Sequence, residues 1–201
     1  SMAARLHVSR PTARQALQRL VDRGLLTRRR GVGTIDSPSQ VHRPMELTSL
    51  MKDLVEAGHK VQTTIQRYEA HPATEAEAEA LKIEAGTLIV HIERTRFTNN
   101  EPIAVLRNLI PADIAPTMQE LESGSLYDLM RERGVTLTSA RQVIGARTAT
   151  TKEAKLLSEH RGAALLTTQR TTYDPSGRIV EYGDHIYRAS RYSFEANLFA
   201  Q

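Results

Sequence analysis

The side chains of this 201-residue chain whose types and spacing could do chemistry are, above all, cations. Arg94 and Arg96 stand two apart in a stretch that reads as a strand, so both guanidiniums leave the same face. Two such groups side by side repel unless an anion or a carboxylate lies between them. One outcome is capture of a phosphate or carboxylate on a small ligand. The other is a pair of structural ion pairs, with Glu93 or Glu181 as partners. A second group lies near the N-terminus. Arg10, Thr12, Arg14 and Gln15 share the outer face of a helix, and Arg28-Arg29-Arg30-Gly31 forms a basic, glycine-containing tip. Guanidiniums, an amide and a hydroxyl on one helix face have the chemistry of a major-groove reader.

The charge distribution separates these two groups. Residues 1–36 hold eight arginines and two aspartates, a balance of +6, while the rest of the chain carries 19 basic and 21 acidic residues. The basic excess belongs to the first segment alone, as expected of a surface that meets a polyanion. All of its cations are arginine, which suits bidentate contact to phosphate or guanine.

Other chemistries find little support. The absence of cysteine excludes disulfides and thiolate metal sites. The seven histidines show no spacing that gathers metal ligands; His91 and Glu93 share a strand face but lack a third partner. There is no glycine-rich nucleotide loop and no visible reactive constellation, so neither a cofactor nor a metal is expected. No apolar run is long enough to span a bilayer and no signal peptide is recognisable, so a cytoplasmic protein is the default.

The elements that must position these residues can be read in order. Ser9 is a good N-cap, with Pro11 near the first helical position. Ala13, Ala16, Leu17, Leu20 and Val21 recur as one buried helix face, and Gly24 ends it. Leu25-Leu26-Thr27 reads as a strand, Arg28 to Gly33 as a tip, and Thr34-Ile35 as the return strand. The run Val8 to Thr34 resembles the winged helix-turn-helix of the GntR family of bacterial transcription regulators, with helix and wing signatures at the family's spacing. Ala3 to His7 matches the second helix of that three-helix core, so the domain is expected to be partial here, its first helix missing.

Residues 37–46 carry two prolines in a polar run and read as a linker. Leu47, Leu50, Met51, Leu54 and Val55 then predict an amphipathic helix closed by Gly58, and Val61 to Tyr68 a strand. Residues 73–110 and 149–186 align without a gap at an offset of 76, with ten of 38 positions identical, Arg94/Arg170 and Ile110/Ile186 among them. Each copy reads as a short helix, a Gly turn and a hairpin of two long strands, with turns at 98–101 and 174–177. Between the copies lie a helix from Ser125 to Arg133, capped by Ser125, and a strand from Val135 to Ala146. Two such units predict one antiparallel sheet with helices to one side, an α+β fold.

This region, Leu47 to about Leu198, resembles the UTRA effector-binding domain of the HutC subfamily, which has the chorismate-lyase-like fold. The resemblance rests on Gly58-His59, Glu93-Arg94-Thr95-Arg96, Pro102-Ile103-Ala104, Ser125-Leu126-Tyr127, Glu181-Tyr182, and the run from Tyr187 to Phe194. It implies that Arg94, Arg96, Ser125 and Tyr127 hold the anionic group of an effector, and that Glu181 and Tyr187 hold the rest. One position departs. Val105-Leu106 stands where many relatives carry an aromatic residue and then a glutamate facing the ligand. Leucine accepts no hydrogen bonds, so either the ligand is less polar at that end or another residue supplies the acceptor; this speaks against an amino-sugar phosphate, and the expectation is an anionic metabolite of unnamed kind.

The expected layout is therefore residues 1–36 as DNA-binding domain, 37–46 as linker and 47–201 as effector domain. The expected function is that of a homodimeric regulator, by family habit a repressor, that binds operator DNA and an anionic effector. The alternatives are an enzyme of the same fold acting on an anionic metabolite, and a domain that only dimerises.

Overall fold

The computed structural model describes residues 9, 11, 12, 15, 26–29, 33–36, 41–44, 47, 48, 50–56 and 58–195. The chain divides into two units, residues 1–45 with 190–201, and residues 46–189.

In the first unit Ser9 caps a helix as its residue type suggests. Its Oγ accepts from the Thr12 amide at 3.2 Å, and Pro11, Thr12 and Gln15 are helical and exposed. Strand β1 (Leu26–Arg29) pairs antiparallel with β2 (Gly33–Asp36), Arg29 opposite Gly33. The hairpin of the wing is present, with one difference: Arg28 and Arg29 stand on the strand, so the tip is shorter than the sequence suggested. Arg10, Arg14, Arg30 and Gly31 lie outside the described residues. Within the stretch read as a linker, β3 (Val41–Pro44) pairs in parallel with a C-terminal strand, Tyr192–Glu195, and residues 190–201 group with the first unit. A four-residue strand whose partner is so distant in sequence leaves no periodicity to read.

The second unit is built on the repeat. Its elements are α1 (Leu50–Glu56), β4 (Val61–Pro72), α2 (Glu75–Leu81), β5 (Leu88–Thr98), β6 (Glu101–Pro111), α3 (Met118–Ser123), α4 (Leu126–Glu132), β7 (Ser139–Thr148), α5 (Thr151–Leu156), β8 (Ala164–Tyr173) and β9 (Ile179–Arg188). The six strands form one antiparallel sheet in the order β4-β5-β6-β9-β8-β7, so the copies meet at β6 and β9. This order is symmetric about its centre. The repeat thus includes β4 and β7, which identity alone did not include.

The two copies match bond for bond. Thr74 and Glu77 form a reciprocal capping box at the start of α2, and Thr150 and Glu153 form the same box at α5. After the helices Lys82 and Ser158 take left-handed φ of 53° and 52°, and Gly86 and Gly162 take φ of 84° and 81°. Ala73 N donates to Thr87 O and Ala149 N to Ala163 O, both at 2.8 Å. The match slips in the last strand. Arg94 lies opposite Leu106, whereas Arg170 lies opposite Gly183 rather than Tyr182. Asn99 and Asn100, with φ of 50° and 67°, make a two-residue turn. The second connection is longer: Asp174 Oδ1 accepts from the Ser176 and Arg178 amides. Ile110 and Ile186 therefore pack on opposite faces, and their identity was not structural equivalence.

Helices cover both faces, not one. The repeat helices α2 and α5 share a face, packing Ala78 and Leu81 against Ile89, and Ala154 and Leu157 against Val105 and Ile186. The other face holds Val90, Ile92 and Ile110 under Leu121, Leu126, Tyr127 and Met130 of α3 and α4. Helix α3 has its own capping box, Thr117 with Glu120, that the sequence reading passed over. Ser125 occupies the N-cap of α4 but makes no side-chain cap bond there. Gly58, φ 82°, ends α1 as expected, and Leu50 and Leu54 are buried, but Val55 is exposed.

Two outcomes follow for the repeat helices. Thr150→Ala removes the cap and should lower stability by about 1 kcal/mol in urea unfolding; no change would mean the box carries no energy. Hydrogen bonds from Arg147, against an opposing burial cost and aided by Thr150, hold the Glu153 carboxyl down at about 2, below its ordinary 4.5. A lowered carboxylate pKa stabilises the fold above 4.5, and that contribution is lost as pH falls toward about 2. Glu153→Gln should flatten the acid limb of the stability profile, and an unchanged limb would contradict the assignment.

Candidate functional site

The face of the sheet under α3 and α4 changes from apolar to polar along the strands. In β5 the series Val90, Ile92, Arg94, Arg96 points one way by strand alternation, and the pairing register continues that face across the sheet. Ile92 lies opposite Asn108, Asn108 opposite Gly183, Gly183 opposite Arg170, and Glu181 opposite Thr172. Every side chain in this series is buried, including Arg94 and Arg96 at 2 % exposure each and Glu181 at 0 %.

Glu181 is the hub. Its Oε1 accepts from Asn108 Nδ2 at 2.6 Å, and its Oε2 from Thr172 Oγ1 at 2.8 Å and Tyr127 Oη at 3.2 Å. Asn108 Oδ1 accepts from Arg94 Nη2 at 2.8 Å, and Asn108 Nδ2 also lies 3.2 Å from His185 Nε2. The His185 ring reaches on to the Tyr187 hydroxyl at 3.3 Å. Arg170 donates to Gln142 Oε1 at 2.7 Å and to Tyr127 Oη at 3.4 Å. Gly183 makes the crowding possible. A Cβ there would meet Glu181 Oε1 and His185 Nε2, both at 2.6 Å, far inside contact distance.

The charges do not balance. Arg94, Arg96 and Arg170 are buried on this face with one carboxylate among the described residues, Glu181. Among the described residues, neither Arg94 nor Arg96 has a carboxylate at ion-pair distance. Arg94 Nε and Nη1 and Arg96 Nε are buried without any acceptor, while Arg96 Nη1 donates to Thr63 Oγ1. Burial lowers the two guanidiniums to about 10 and about 9, so both stay charged at neutral pH. Burial pushes the Glu181 carboxyl up, against its hydrogen bonds and Arg170, and pushes the Tyr127 hydroxyl to about 12, so Tyr127 remains a donor. Uncompensated buried N–H groups on a cation are costly. A bound anion would supply both the missing charge and the missing acceptors.

Of the six effector residues implied by the resemblance, Arg94, Tyr127, Glu181 and Tyr187 fall into this one network, with Arg96 beside Arg94. Ser125, buried, stands at the start of α4 two residues before Tyr127. The sequence reading missed Asn108, Thr172, His185 and Arg170. The first three gave no signal, because they meet only through the pairing register. Arg170 did give one, as the repeat mate of Arg94. Leu106 lies opposite Arg94 on one side and His185 on the other, so an apolar residue stands across the strands from both. A separate cleft of ≈ 270 Å³ borders Arg133 and Arg178, but those cations are engaged by Glu120 and Asp113.

Comparison with known proteins agrees with this architecture. The family model for the UTRA domain matches residues 56–193, and that for bacterial regulatory proteins of the gntR family matches residues 1–35. The chain is 33 % identical over 195 residues to the HTH-type transcriptional repressor NagR of Bacillus subtilis, covering 96 % of this chain and 80 % of that one. The crystal structure of PhnF from Mycobacterium smegmatis superposes with a TM-score of 0.80 at 25 % identity, over 99 % of this chain and 89 % of the other. A chain from Streptomyces coelicolor described as a transcriptional regulator is 47 % identical, with a TM-score of 0.65, over 71 % and 96 %. These relatives are regulators, not enzymes. The chain therefore belongs to the gntR family of bacterial regulatory proteins, and is a transcription regulator that carries a UTRA domain.

Proposed function

We propose that this regulator is a cytoplasmic homodimer that represses transcription from operator DNA and is released by a small anionic effector held on the polar face of its sheet. The observation that carries the effector reading is the buried pair Arg94 and Arg96, with guanidinium N–H groups that meet no acceptor. Arg94, Arg96, Ser125 and Tyr127 take the phosphate or carboxylate, and Glu181 and Tyr187 take the remainder of the ligand. Arg170 adds a third cation to that environment. Leu106 makes the end nearest Arg94 apolar, which suits an effector without hydroxyls or an amine at that point. The name of the NagR relative supports repression.

On the DNA side, Arg10, Thr12, Arg14 and Gln15 enter or border the major groove. Arg28, Arg29, Arg30 and Gly31 bring the wing to the backbone or the adjacent minor groove. A dimer places two such heads on half-sites about one helical turn apart. The effector shifts the balance between competent and incompetent arrangements of the heads, because it binds them unequally.

Arg94→Ala should leave operator affinity unchanged and abolish effector-induced release in a mobility-shift titration. An unchanged response would remove the arginine pair from sensing. Arg29→Ala should weaken binding to all duplexes alike and reduce the salt slope of log K by about one. A constant slope would mean that the wing does not touch phosphate.

A further inference from the structure

The opposite face of the sheet carries a cluster that the spacing of the histidines did not reveal. His91 in β5 lies across from Glu69 in β4, so His71, two residues along β4, is its diagonal neighbour on the same face. Glu77, in the first turn of α2, comes down between them. Its Oε1 is 3.6 Å from His71 Nε2 and 3.9 Å from His91 Nδ1, and the three donor atoms all lie within 4.8 Å of one another.

Each group turns one donor atom toward the other two. The Glu77 Oε2 atom is committed to the capping box, accepting from Thr74 N at 3.0 Å and Thr74 Oγ1 at 2.8 Å, which leaves Oε1 facing the imidazoles. His71 Nδ1 lies 3.0 Å from the Pro72 carbonyl, which can only accept, so Nδ1 carries a proton and Nε2 is the ring nitrogen turned to Glu77. That is the outer-shell bond that orients a ligating histidine. His71 Nε2 and His91 Nδ1 are both buried and without a hydrogen-bond partner. Three potential metal-donor atoms thus converge.

The second copy of the repeat shows what the position requires. There Arg147 replaces His71 and Thr167 replaces His91, and Arg147 grips Glu153 with two hydrogen bonds of 2.7 Å. A cation sits against the capping glutamate. In the first copy, among the described residues, no guanidinium does so, and two imidazoles stand at 3.6 and 3.9 Å, too long for hydrogen bonds.

We propose that His71, Glu77 and His91 bind a divalent transition-metal ion of the zinc class. Two imidazoles and one carboxylate are a known zinc donor set, with the fourth position left to water. Donors about 2.0–2.1 Å from a tetrahedral ion stand roughly 3.4 Å apart, near the 3.6 Å and 3.9 Å that separate Glu77 Oε1 from the two ring nitrogens. All three residues are partly exposed, though the two ring nitrogens themselves are buried. The ion joins β4, β5 and α2 on the face opposite the arginine cluster, independently of the effector.

The test is calorimetric titration of the chelator-treated full chain with Zn²⁺, alongside thermal unfolding. The comparison is the double variant His71→Arg with His91→Thr, which writes the second copy's residues into the first. The wild type should take up one more equivalent than the variant and rise in Tm with Zn²⁺ but not with Mg²⁺. The variant should stay folded without metal and bind more than about tenfold more weakly, at least the loss that removal of an outer-shell partner causes. Equal uptake by both proteins, no saturable uptake by the wild type, or an equal response to Mg²⁺ would overturn the proposal.

Discussion

Three guanidiniums share the buried side of a β-sheet with a single carboxylate, and the second unit is arranged around that imbalance. Desolvating a charge without a partner is among the most expensive things a fold can do. The chain limits the cost by making Glu181 accept from Asn108, Thr172 and Tyr127, and by giving Arg170 both Gln142 and Tyr127. It leaves Arg94 and Arg96 under-satisfied, and does so where Leu106 supplies no acceptor. On the proposed reading, a ligand that supplies the missing acceptors and charge would bind with the energy those buried guanidiniums lack on their own.

The duplicated architecture explains how such a site is held. Two capping boxes, two left-handed helix exits and two hairpins repeat nearly bond for bond, placing both copies' helices on one face. That leaves the other face of the central strands to α3 and α4, which bring Tyr127 onto Glu181. Strand alternation sets Gly183 between Glu181 and His185, where a Cβ would meet both, and the one-residue slip in β9 turns that run to the face of Arg170. Symmetry supplies the frame, and its breaking supplies the site.

Much of this was legible from residue types. Period-two spacing put Arg94 and Arg96 on one face, Ser9 announced its cap, and the repeat announced the paired helices. What escaped depended on pairing across the sheet. Asn108, Thr172 and His185 become neighbours only once the register is known. His71 and His91 meet Glu77 because β4 joins β5, while their separation in sequence follows no ligand spacing. Ile110 and Ile186 show the converse, an identity that misleads because the two hairpin connections differ in length. Val41–Pro44 pairs with a strand from the far end of the chain, which no local pattern can foretell.

The central claim is that the buried arginine face is completed by an anion. It is tested most directly by the thermal midpoint of the full chain against rising inorganic phosphate at constant ionic strength, with chloride as the balancing salt. The account predicts a saturable rise that follows the logarithmic law for a ligand bound only by the folded state. A midpoint indifferent to phosphate, and equally indifferent to phosphorylated and carboxylated metabolites over the same range, would contradict it.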